Sequence, residues 1–118
     1  MAKEYLERLA AQVRRAIPES SRSAKLECKH FFSGAALYAN GKICASLTPV
    51  GFAIKLPERS RTALLRQHRA RPLRYFANAP VKREYVVLGQ SLVGNAVQLG
   101  RWLKVSMRYV AGVQDSRR

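Results

Sequence analysis

Four side chains in this sequence could bind a soft metal ion or act as a nucleophile with its base: Cys28, His30, Cys44 and His68. Cys28 and His30 alternate, so on a strand they share one face and could hold one ion together. Zinc needs a third or fourth ligand, and Cys44 belongs to a different segment. No CxxC pair exists, and the two cysteines make neither a disulfide framework nor a structural zinc signature. Ser33-Gly34 lacks the full G-x-S-x-G elbow, and Glu27, Glu58 and Glu84 are unpaired in sequence. Gly34, Gly41 and Gly51 read as turn or close-packing glycines, with no phosphate-binding or dinucleotide fingerprint. The expectation is no catalytic residue, no metal and no cofactor, with a small metal-binding or enzymatic protein built on Cys28, His30, Cys44 and His68 as the alternative.

Charge supplies the other chemistry. Twenty-two Lys and Arg against seven acids give a net charge of +15 and a pI near 11. Such a field attracts nucleic acid, an acidic protein or an anionic surface. The basic residues concentrate between Lys55 and Arg83, where Tyr75 and Phe76 are interleaved. The candidate binding set is Arg59, Arg61, Arg66, Arg69, Arg71, Arg74, Tyr75, Lys82 and Arg83. Arginines beside exposed aromatics hold phosphates and stack on unpaired bases, with strong salt dependence. If Leu73, Tyr75 and Phe76 instead tuck into the core, the arginines are a solvated face and stacking fails. No helix-turn-helix, zinc finger or RNA-recognition signature is present.

The elements that must position these residues follow from periodicity. Leu6, Leu9, Ala10, Val13 and Ile17 recur at three and four, which makes one face of a helix from Lys3 that Pro18 stops. Strands follow at 26–32, 34–39, 42–47 and 51–56. Asn40-Gly41 accepts the positive φ that a type I′ hairpin turn needs. That turn sets Ala39 opposite Lys42, Tyr38 opposite Ile43, Leu37 opposite Cys44 and Ala36 opposite Ala45. Pro57 and Glu58 open a short helix, the stretch from Arg69 to Lys82 reads as an irregular connection, and 83–89 is a last strand. GQSLVGN reads as a turn. A final helix starts at Asn95 as N-cap, with Leu99, Trp102, Leu103, Ser106, Val110 and Val113 toward the core and Trp102 as its anchor. The result is an α+β fold: an antiparallel sheet of about five strands, terminal helices packed on it and a short helix before the last strand.

At 118 residues the chain has the size of one domain, 1–118, with a flexible tail from about 114. The charged N-terminus lacks a signal peptide's apolar region and no segment reaches the length of a membrane span, which points to a cytoplasmic protein. An exposed edge strand could pair in a homodimer.

The run HFFSGAALYANGKICASL, then GFAIKL, the YVVL strand and the closing LGRWLKVSMRYV helix together resemble the N-terminal domain of the TfoX/Sxy family. Phe31, Phe32, Ser33 and Gly34 stand where the family has a Met-Phe-Gly-Gly-like start. Leu37, Tyr38, Asn40, Gly41 and Lys42 match its hairpin, Lys55 after Ile54 its Leu-Lys pair, and Trp102 its helix tryptophan. Ser33 replaces the usual first glycine, and the second, helical domain of the full regulators is absent from this sequence. The resemblance implies an antiparallel sheet flanked by helices and a link to natural competence. In that setting two-domain members act as transcriptional coactivators alongside a cyclic-AMP receptor protein. It implies no catalytic residues. The expected function is thus a non-enzymatic regulatory or interaction domain contacting nucleic acid or an acidic transcription component, with a purely structural dimerising domain as a further alternative.

Overall fold

The computed structural model describes residues 2–112; the expected flexible tail and Val113 lie outside the described residues. Helix α1 spans Ala2–Ala16, and a single 3-10 turn at Glu19–Ser21 leads into the sheet. Strands β1 (Leu26–Phe31), β2 (Gly34–Ala39), β3 (Lys42–Thr48) and β4 (Gly51–Lys55) form a meander. Helix α2 (Glu58–Arg66), β5 (Ala70–Pro72), β6 (Tyr85–Leu88), α3 (Gln90–Val93) and α4 (Ala96–Val110) complete the order. The sheet is antiparallel and six-stranded, in the order β1-β2-β3-β4-β6-β5. An α+β fold with terminal helices is therefore observed.

Local rules account for the ends of these elements. Asn40 and Gly41 hold φ +50° and +84°, and the Asn40 side chain accepts the Lys25 N–H at 2.9 Å, which ties the hairpin to β1. Pro57 caps α2, and the Asn95 carboxamide accepts the Gln98 N–H at 3.1 Å at the head of α4.

Several expectations need correction. There are six strands, because Ala70–Pro72 pairs with β6 at the sheet edge, where proline's missing N–H costs no ladder bond. The segment Gln90–Val93 is a helical turn. The hairpin register holds only at Ala39↔Lys42 and Tyr38↔Ile43; a bulge then pairs Leu37 with Ala45 and Ala36 with Ser46. Cys44 is the extra residue, so Leu37, Cys44 and Ala45 all enter the core on the helix side. The Ser106 hydroxyl donates to the Cys44 carbonyl at 3.1 Å and anchors α4 over this irregularity.

Helices α1 and α4 cover one sheet face. Leu9, Val13 and Ile17 meet Leu99, Leu103 and Met107 above Leu37, Ala45, Leu47, Ile54 and Val86. Trp102 is half-buried at the margin of this core and does not anchor its centre. Gly100 lets the two helices touch: a Cβ there would lie 2.4 Å from the Ala16 carbonyl oxygen.

Candidate nucleic-acid interface

The other sheet face carries a straight row of paired residues: Lys29, Ala36, Ser46, Ala53, Val87 and Arg71, one from each strand. Its ends are cations on the two edge strands, both exposed, and its middle residues are small and buried. Small side chains leave room for the connection between β5 and β6 to lie on the sheet. Leu73 packs on Ala53 and Val87, with Val50, Tyr75 and Tyr85 around them. Ser46, which the Cys44 bulge turns toward this face, neighbours the Tyr75 hydroxyl.

Burial pushes the Tyr75 hydroxyl above its ordinary value, partly offset by Ser46. Burial, with Tyr75 and Glu84 nearby, pushes Tyr85 up to about 12. Both rings are therefore neutral at physiological pH. Lys55 lies over the Tyr85 ring, 6.0 Å from its centroid, and Lys29 lies 5.2 Å from the Tyr38 centroid.

The sequence-derived binding set is distributed over several places. Arg59 and Arg66 are exposed on α2, where they share a shallow depression with Glu58. Arg61 donates to the Leu56 carbonyl at 2.6 Å, and Arg69 donates to the Gln98 side chain. Arg71 donates to the Val50 carbonyl at 2.7 Å, and Arg74 to the Ala79 carbonyl at 2.7 Å. Lys82 and Arg83 are exposed on the connection leading to β6. Leu64 sends α2 into the helix-side core, whereas Arg71 lies in the row on the opposite face. Tyr75 is half-buried and Phe76 is 69% exposed, so of the interleaved aromatics it is Phe76 that is free to meet a ligand.

Sequence reasoning missed the contribution of the β1–β2 turn. Phe32 is 84% exposed at φ +50°, its ring centroid 4.5 Å from Phe31 and 6.4 Å from Tyr75, edge-on in both cases. Lys29 lies two positions before Phe31 on the same strand face. Hydropathy argues for burial of both rings, so no sequence signal marked Phe32 as exposed.

The alternative chemistry is not assembled. Cys28 is half-buried on β1, Cys44 is buried two strands away, and His68 lies at φ +57° just beyond α2. Among the described residues no three of the His, Cys, Asp and Glu side chains come together to hold an ion. Burial pushes the Cys44 thiol up to about 11 and raises Cys28 as well, so neither is a thiolate at neutral pH. Elsewhere, a cleft of about 650 Å³ opens between α4, the Asn40 turn and the segment after α1, with Lys42, Lys104 and Arg108 among its lining residues. Among the described residues no helix is long and apolar enough to cross a membrane.

Compared with known proteins, the chain matches the family model of the TfoX N-terminal domain over residues 21–109. No curated protein matches it, and no solved structure does.

Proposed function

Because the chain belongs to the TfoX N-terminal domain family, we propose that it is a non-enzymatic interaction domain whose basic surface binds nucleic acid in the cytoplasm, as a component of transcriptional or competence regulation. One observation carries this reading: the guanidinium groups of Arg71 and Arg74, in the segment that leads into Tyr75, are each held by a backbone carbonyl, of Val50 and Ala79. A guanidinium has five N–H donors, so one carbonyl fixes its position and leaves others for phosphate oxygens. Fixed cations lose less side-chain entropy on binding than free ones. The net charge of +15 draws a polyanion toward this surface from any direction. Thiols that are neutral at physiological pH support a binding role over catalysis.

Fluorescence anisotropy of a labelled oligonucleotide, titrated with wild type, Arg59→Gln/Arg66→Gln and Lys82→Gln/Arg83→Gln, tests the proposal. Loss of Lys82 and Arg83 weakens binding to all sequences alike and reduces the salt slope by roughly 0.7 per lost phosphate contact on a single strand. The α2 pair, partly offset by Glu58, has the smaller effect. Absence of binding at low salt would sink the proposal. Binding to an acidic polypeptide but not to the oligonucleotide would transfer the surface to a protein partner.

A further inference from the structure

Phe32 carries two energetic costs that the fold does not recover. Its φ of +50° lies in the left-handed region, which costs a bulky residue on the order of 1 kcal/mol or more, and its ring leaves most of its surface in water. An aromatic held in strained backbone and solvent points to a ligand that covers it. The ring is also oriented. Phe31 and Tyr75 meet it edge-on, so one wall of the Phe32 ring is built and its remaining surface is open. Phe76, which follows Tyr75 in the connection, is a second exposed ring. Lys29 lies on the same face of β1, and Arg74 is fixed next to Tyr75.

We propose that the β1–β2 turn and the β5–β6 connection together form a stacking platform for unpaired bases of a single-stranded nucleic acid. Phe32 is the ring on which a base lies, and Lys29 and Arg74 hold flanking phosphates. This rests on the nucleic-acid reading above and adds to it a strand preference and a residue outside the basic segment. Exposed rings accept any base because every base has a π-face, whereas paired bases inside a duplex do not offer theirs. A second copy of the chain is disfavoured as occupant, since it would bring a second charge of +15 to the same surface.

The test compares wild type and Phe32→Ala for affinity to a single-stranded oligonucleotide and to the same sequence annealed to its complement. The expected result is about a tenfold loss on the single strand with the duplex affinity unchanged. Phe32→Trp keeps the single-strand affinity, and its indole emission is quenched on binding, a signal that Trp102 does not mimic because its half-buried position lies on the helix side. Equal affinity of wild type and Phe32→Ala for the single strand, or equal losses on both substrates, overturns the platform while leaving the basic surface in place. Wild type binding neither substrate overturns both readings. Self-association that Phe32→Ala abolishes assigns the patch to a second copy and overturns the platform. If Phe32→Ala does not fold, the quenching in Phe32→Trp decides: an unquenched indole on a bound single strand contradicts stacking.

Discussion

The rings of Phe32 and Tyr75 meet edge-on at 6.4 Å, joining the turn between β1 and β2 to the connection between β5 and β6. These segments lie far apart in sequence, and Tyr75 in turn lies beside Ser46 of the central strand β3. An apolar turn and a basic connection thereby become one surface, with the sheet as its rigid floor.

Phe32 is expected to be a poor contributor to stability. Phe32→Gly removes an exposed ring and relieves the φ of +50°, so the unfolding free energy should rise or stay level, by about 0 to 1 kcal/mol, despite the greater freedom of glycine in the unfolded chain. Urea denaturation of the variant measures this. A loss above about 1 kcal/mol would show that the ring holds the fold together and weaken the argument that it awaits a ligand.

Gly100→Ala tests the contact between the terminal helices. The added Cβ would meet the Ala16 carbonyl oxygen at 2.4 Å, and backbone on both sides leaves no flexible atom to yield. Destabilisation of about 1–3 kcal/mol is expected in thermal or urea unfolding. A neutral substitution would mean that α1 and α4 sit farther apart.

Alkaline pH should destabilise the fold in a defined window. Burial raises the Cys44 thiol from its ordinary 9.0 to about 11, so the folded state prefers the neutral form. Its stabilising contribution is complete below about pH 9 and is lost as pH rises toward 11, on the order of 2–3 kcal/mol. Tyr85, raised from 10.0 to about 12, extends the loss upward in pH. Chemical unfolding at stepped pH should show Cys44→Ala flattening the first part of the decline while leaving the part due to Tyr85. An unchanged profile in that variant would contradict the burial argument.

Much of the fold was legible because short-range chemistry specified it. Asn40-Gly41, Pro57 and Asn95 each act through their own backbone, and each marks its element's end as expected. The misses depend on distant partners. Ala70–Pro72 becomes a strand only because β6 lies beside it, and the Cys44 bulge exists because Ser106 and the helix-side core accept the extra residue. At the site, Tyr75 and the arginines around it were visible as a composition, but Arg61 and Arg69 turn out to be tied to Leu56 and Gln98. Phe32 escaped because hydropathy argues for burial of a phenylalanine, and a positive φ at such a residue has no sequence signature.

Whether this basic aromatic surface holds the phosphates of an unpaired strand is decided by the wild-type affinity for a single-stranded oligonucleotide, measured between about 50 and about 200 mM salt. The expected result is a linear fall of log affinity with log salt, with a slope of roughly −0.7 for each phosphate held. An affinity that does not change across that range, or no binding at its lower end, would contradict it.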